Sequence, residues 1–111
     1  MDEKKLNKLL YKADNLFLEV NDKNFTFKSI RKFNGTLKEI YDIFEPLLFK
    51  NAKKEYKNYF NKSDDLLVHW VTHQEYHNKI PITLINHENK IYENILKLKQ
   101  KLGYGIKRVK K

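Results

Sequence analysis

The fold of this 111-residue chain is decided by residues 2–20, which read DEKKLNKLLYKADNLFLEV. At about 100° per residue, the apolar side chains of this stretch gather on one face of a helix and the lysines gather on the other. This stripe is typical of an amphipathic helix that buries one side against the rest of a protein. The apolar face holds Leu6, Leu9, Leu10, Ala13, Leu16, Phe17 and Val20, and the cationic face holds Lys4, Lys5, Lys8 and Lys12.

The rest of the chain contains few residues that break helices. With three glycines and two prolines, the sequence favours long helices joined by short polar connections. We therefore predict an all-α fold, a single small bundle of four or five helices. The alternative is an α+β fold in which hairpins at 15–30 and 66–86 pack on two or three helices, because residues 66–72 are rich in strand formers. The predicted helices span residues 2–20, 25–33, 37–60, 64–79 and 84–102.

Local signals set the predicted boundaries in the first half of the chain. Residues 25–33 begin with strand-like alternation but also suit a short helix that ends at Gly35. Residues 36–39, which read TLKE, have the form of a capping box and predict the start of the next helix. Beyond Pro46 the apolar side chains no longer fall on the helix face that holds those before it. This change predicts a kink at that proline or a break near Asn51.

Similar signals set the boundaries in the second half. Ser63 is predicted to be the N-cap of a helix whose first turn carries Asp64 and Asp65. Pro81 is predicted to end that helix, because proline removes a backbone donor. Gly103 is predicted to follow the end of the last helix, because glycine is favoured at that position.

Positive charge is concentrated at the carboxyl end. The formal net charge is +9. Residues 96–111 carry seven basic residues and no acidic ones, whereas residues 1–95 carry sixteen basic and fourteen acidic ones. We divide the chain into one helical domain, residues 1–103, and a basic C-terminal tail, residues 104–111. This distribution indicates an anionic partner, either a nucleic-acid backbone or an acidic protein surface.

Two groups of residues are predicted to bind that partner. In the tail, Tyr104 lies between two glycines, where its ring is able to stack on a base beside the lysines. In the helix predicted at 37–60, four lysines share a face, although a solvated helix face is the competing interpretation. Because only two arginines are present, we expect backbone contacts with little sequence readout. The predicted anion-binding residues are Lys50, Lys53, Lys54, Lys57, Lys97, Lys101, Tyr104, Lys107, Arg108, Lys110 and Lys111.

Three of the four histidines, His69, His73 and His77, recur at every fourth position. Two histidines one turn apart bind zinc when a further ligand, such as His87, is present. No glutamate follows them to form the His-Glu-x-x-His motif of zinc proteases. We therefore predict histidines bonded to backbone, water or tyrosine. We expect no catalytic residue, no metal and no cofactor, and the three clustered histidines are the candidate ligands should a metal bind.

These observations predict a small basic accessory protein that binds nucleic acid or a nucleoprotein complex without catalysis. One alternative is a phage- or mobile-element-type inhibitor or regulator that acts by protein–protein contact. A second alternative is a His-dependent ribonuclease or a metal-dependent enzyme. The chain has no cysteine, no apolar run of about 20 residues and no apolar secretory signal at its start. We therefore expect a cytoplasmic protein without a transmembrane segment.

Overall fold

The computed structural model describes residues 3–23, 25–72 and 79–101. In these ranges the chain forms four α-helices and one short 3₁₀ turn, and it contains no strand. The prediction of a small all-α bundle is therefore confirmed, and the α+β alternative with hairpins is wrong. The elements are α1 (Glu3–Val20), α2 (Phe27–Phe44), the 3₁₀ turn (Glu45–Leu47), α3 (Lys50–Thr72) and α4 (Lys79–Lys101).

The apolar face of α1 is buried, as its periodicity predicts. Helix α1 packs mainly on α2, α3 packs mainly on α4, and α2 also contacts both α3 and α4. An aromatic cluster joins α1, α2 and α4. The ring centroid of Phe17 lies 6.3 Å from that of Phe33 and 5.0 Å from that of Tyr92, and the last two are 5.6 Å apart. Side chains of this size contribute about 1.5–3 kcal/mol each when they are fully buried.

Helix α2 is continuous across the two boundaries predicted near Gly35. It begins after Thr26, whose hydroxyl accepts a hydrogen bond from the Ser29 N–H at 3.1 Å, while the Thr26 N–H donates to Ser29 Oγ at 3.0 Å. The predicted helix end at Gly35 and the predicted capping box at 36–39 are therefore wrong. A glycine inside a helix costs about 1 kcal/mol, which is less than the gain from burying one continuous apolar stripe. That stripe consists of Ile30, Phe33, Leu37, Ile40 and Phe44.

The helix predicted over residues 37–60 is interrupted. The 3₁₀ turn contains Pro46, and Leu48 is extended with φ −98° and ψ 148°, so that α3 begins afresh at Lys50. The predicted alternative of a break near Asn51 is confirmed, because α3 begins at Lys50, whereas a single helix over residues 37–60 that only kinks at Pro46 is wrong. Proline lacks the N–H that a continuing helix needs, and its ring clashes with the preceding turn.

Helix α3 runs through Ser63 without a break, so the predicted N-cap at this residue is wrong. Ser63 is fully buried in the middle of the helix. It lies on the same helical stripe as Tyr56, Phe60 and Leu67, all of which are buried. Continuing the helix keeps this stripe on one face, and the local capping signal is overridden by tertiary packing.

The prediction that Pro81 ends a helix is also wrong. Helix α3 is described as far as Thr72 and α4 from Lys79 onward, with Pro81 in the first turn of α4. Residues 73–78 of the helix predicted at 64–79 lie outside the described residues. Proline is tolerated in a first turn because the N–H that it lacks has no partner within the helix there. Gly103 and the tail at 104–111 lie outside the described residues, so the division into a domain and a tail stays a prediction.

Candidate anion-binding cleft

A cleft of about 590 Å³ lies between α2 and α3. Four lysines of α3 line it, which we call the lysine row: Lys50, Lys53, Lys54 and Lys57. Because residues three and four apart are neighbours on a helix surface, these side chains lie side by side along α3. Lys53 is half-buried and the other three are exposed. The row therefore borders a concave surface, which its helical spacing alone does not predict.

The facing side of the cleft carries acidic side chains. Asp42 of α2 and Glu45 of the 3₁₀ turn line it, and Lys38 and Asp64 complete the charged lining. The cleft thus has five lysines and three acidic residues. Within the described part of the chain, no member of the lysine row forms an ion pair. Four cationic groups are therefore available to an anion, while the two facing acids oppose its entry into the full depth of the cleft.

Aromatic rings form the apolar part of the cleft lining and pack α2 against α3. Tyr41 and Phe60 line it and are buried. The ring of Tyr41 stacks on Tyr56 at 5.1 Å and lies 5.7 Å from Phe60, which ties α2 to α3. Burial raises the pKa of Tyr56 to about 12, with smaller contributions from Tyr59, Glu55 and Tyr41. The Tyr56 hydroxyl therefore stays neutral at physiological pH, and the aromatic support adds no charge to the cleft.

An ion pair between α2 and α3 forms part of the cleft lining. Lys38 Nζ lies 2.8 Å from both carboxylate oxygens of Asp64, and Asn34 Nδ2 donates to Asp64 Oδ1 at 3.1 Å. The two charged side chains are 40% and 46% exposed, so the pair contributes at most about 1 kcal/mol to stability. Asp64, which the sequence predicts to lie at a helix N-terminus, is instead the ion-pair partner of Lys38.

Three buried polar residues, Asn34, Ser63 and Glu88, lie near this ion pair, and we call them together the buried polar centre. Glu88 comes from α4 and is 0% exposed. Neither of its carboxyl oxygens has a hydrogen-bond partner among the described residues, and the same holds for Ser63 Oγ and Asn34 Oδ1. These four atoms are all oxygens. A buried polar atom without a partner is destabilising, so the centre departs from ordinary core composition.

Burial raises the pKa of Glu88 to about 8. The nearby Ser63 hydroxyl lowers this pKa, although its Oγ and the Glu88 carboxyl oxygens do not meet the geometry of a hydrogen bond. Smaller effects come from Asp64, which raises this pKa, and from Lys38, which lowers it. Glu88 is therefore mainly protonated at neutral pH, and the centre is mainly uncharged.

The remaining predicted lysines lie on other surfaces. Lys97 and Lys101 line a smaller cleft of about 250 Å³ between α3 and α4, together with Glu55 and Tyr59. The lysine stripe of α1 faces solvent, and α1 and α3 are not principal packing partners. The lysine stripes of α1 and α3 thus belong to helices that do not pack side by side. The predicted tail contacts lie outside the described residues and stay predictions: Tyr104, Lys107, Arg108, Lys110 and Lys111.

Of the clustered histidines, His69 is exposed on α3, whereas His73 and His77 lie outside the described residues. His87, the further metal ligand considered in the sequence analysis, has its Nε2 atom 2.8 Å from the backbone oxygen of Tyr59. Because a carbonyl oxygen only accepts, this nitrogen donates. Among residues 3–23, 25–72 and 79–101, no group of three or more His, Asp or Glu side chains is placed to hold a metal ion.

Two structural features were not predicted from the sequence. Phe49, at the start of the lysine row, is 88% exposed, and Glu88 is fully buried.

No helix in the described part of the chain is long and apolar enough to cross a membrane. Comparison with family models, with curated proteins and with solved structures finds no match to this chain. The functional interpretation therefore depends on the physical properties of the cleft.

Proposed function

We propose that this chain is a non-catalytic protein that binds a nucleic-acid backbone along the lysine row. The observation that carries the proposal is the placement of four lysines side by side on one cleft, with no acidic partner for any of them among the described residues. Lysine ammonium groups attract phosphates as point charges and release the counterions condensed on a nucleic acid. Because counterions are released on binding, we expect the affinity to fall steeply as the salt concentration rises.

The composition of the cleft favours contact with the backbone over reading of base sequence. The cleft has no arginine, and arginine is the residue that most often makes the bidentate contacts that identify a base. Asp42 and Glu45 repel a polyanion from the opposite wall. We therefore expect the phosphates to follow the α3 side of the cleft, and we expect affinity to vary little with base sequence.

A charge-matched pair of variants tests this proposal. The first variant changes the lysine row to glutamine at positions 50, 53, 54 and 57. The control changes the α1 stripe to glutamine at positions 4, 5, 8 and 12, which removes the same number of charges from a different surface. Both variants keep the full chain, including its basic tail. Binding to labelled oligonucleotides is measured by fluorescence anisotropy between 50 mM and 300 mM salt.

The proposal expects the lysine-row variant to lose more than about tenfold in affinity. It also expects the plot of log affinity against log salt to become shallower by up to about three, because four backbone contacts are lost. The α1 control should keep the wild-type slope. If the two variants lose affinity equally, binding follows total charge and the cleft is not the binding surface. If neither variant loses affinity, the proposal is wrong for this part of the chain.

A further inference from the structure

The connection between α2 and α3 exposes an aromatic ring. Phe49 is 88% exposed, the highest value among the large apolar side chains of the described residues. The preceding Leu48 is half-buried and packs on the core, whereas Leu47 is 47% exposed. An exposed aromatic ring loses contact with water when a partner covers it, so it is a favourable point for recognition.

The position of Phe49 is fixed relative to the lysine row. It immediately precedes Lys50, and its carbonyl oxygen accepts a hydrogen bond from the Lys53 N–H at 3.1 Å. Its backbone is thus joined to the first turn of α3, and Leu48 anchors the chain on the other side. A binding residue held on ordered backbone loses less conformational entropy when it engages a ligand.

An exposed aromatic ring at the end of a line of cations suits a strand whose bases are accessible. In non-specific recognition of single strands, bases stack on aromatic side chains while lysines contact the phosphates. We propose that Phe49 stacks on an unpaired base of a strand whose backbone follows the lysine row, so that the protein prefers single-stranded to duplex nucleic acid. This inference rests on the proposed function and adds the form of nucleic acid that the site selects.

The shape of the site favours a single strand over a flat anionic surface. The lysine row extends about 10 Å along α3, since Lys50 and Lys57 are seven helical steps of about 1.5 Å apart. Its lysines line a concave cleft opposite Asp42 and Glu45. A strand is narrow enough to follow one wall of such a cleft, whereas a lipid surface is flat and would also meet the two acids. In a duplex the bases are stacked inside, and the ring reaches them only by unstacking a base step.

The test compares Phe49→Ala with Tyr11→Ala in the full-length protein. Tyr11 is a matched control because it is an aromatic residue of α1 that is 71% exposed. A third variant, Phe49→Trp, keeps a stacking ring. Affinities are measured for a labelled single-stranded 12-mer, for the duplex of the same sequence and for phosphatidylserine vesicles. Because Phe49 is mostly exposed, its removal should not impair folding, and circular dichroism checks this.

We expect Phe49→Ala to weaken single-strand binding by about tenfold or more. Duplex binding and the salt dependence of both substrates should remain unchanged, and Tyr11→Ala and Phe49→Trp should bind like the wild type. An equal loss for both substrates, or no loss for the single strand, overturns the stacking proposal. Vesicle binding that depends on Phe49 while single-strand binding does not would identify a membrane contact and also overturn it. Neither result affects the proposed function, which fails only if the lysine row itself proves dispensable.

Discussion

The anion-binding cleft and the buried polar centre are linked by the Lys38–Asp64 pair. Both contain polar side chains without partners among the described residues, but those of the cleft contact water and those of the centre do not. In the cleft, the lysine row is largely solvated, and water stabilises lysine side chains that have no ion-pair partner among the described residues. In the buried polar centre, water is excluded, and burial raises the pKa of Glu88 to about 8. The comparison shows that access to water decides how much a polar side chain without a partner costs the folded state.

The largest expected effect is on the pH dependence of stability, through Glu88. Between its ordinary value of 4.5 and about 8, the unfolded chain has lost the Glu88 proton while the folded chain keeps it. The unfolded state thus binds fewer protons, and the free energy of unfolding should fall by about 1.4 kcal/mol per pH unit across this window because of Glu88. Below pH 4 both states are protonated and this effect vanishes.

Glu88→Gln should remove that contribution to the pH slope. The variant should match the wild type near pH 4 and exceed its unfolding free energy by several kcal/mol at pH 9, since the amide remains neutral. Urea unfolding at intervals from pH 4 to pH 9 measures the difference. Glu39→Gln, at an exposed acid of α2, is the control and should leave the slope unchanged. Equal slopes for the wild type and Glu88→Gln would contradict the assignment of a buried, neutral Glu88.

A smaller effect is expected from the acidic wall of the cleft. The double variant Asp42→Asn, Glu45→Gln removes two charges that face the lysine row. It should strengthen oligonucleotide binding by about two- to fivefold, because exposed charges such as Asp42 and Glu45 interact by less than about 1 kcal/mol each. Asp14→Asn with Glu19→Gln makes the same charge change on the exposed surface of α1. An equal gain in both double variants would mean that only net charge matters.

The smallest effects concern the pair that links the two regions. Asp64 raises the pKa of Glu88 and Lys38 lowers it. Asp64→Asn should therefore lower this pKa and Lys38→Met should raise it, while the stability of either variant changes by about 1 kcal/mol. Carbon-detected NMR titration of the Glu88 carboxyl measures both values. Shifts in the same direction in the two variants would show that the pair is not electrostatically coupled to the buried centre.

Periodicity made part of this architecture predictable. The stripe of α1 is long and regular, and the structure buries it as predicted. The lysine row follows from its helical spacing. Short capping signals were misleading at Thr36 and Ser63 because both residues are buried inside long helices. A capping preference of about 1 kcal/mol is smaller than the gain from continuing an apolar stripe through it.

Other features depend on contacts between distant segments. The acidic wall opposite the lysine row exists because α2 and α3 pack together, and no local pattern in α3 indicates it. Glu88 did leave a signal: it lies on the same helical stripe as Leu84, Ile91 and Ile95, all of which are buried. An acidic residue on the apolar stripe of a helix is predicted to have a buried carboxyl group. Phe49 left no comparable signal, since its exposure follows from the break after Pro46.

The central claim is that the lysine row binds a polyanion instead of serving only as a solvated helix face. Titration of the ¹⁵N-labelled full-length chain with a single-stranded oligonucleotide tests it most directly, because each backbone amide reports its own surroundings. The account predicts that amide shifts in the helical bundle concentrate at residues 45–57 and at Lys38, with little change along residues 4–12. Shifts that leave residues 45–57 unchanged, or that are as large along α1, would contradict it.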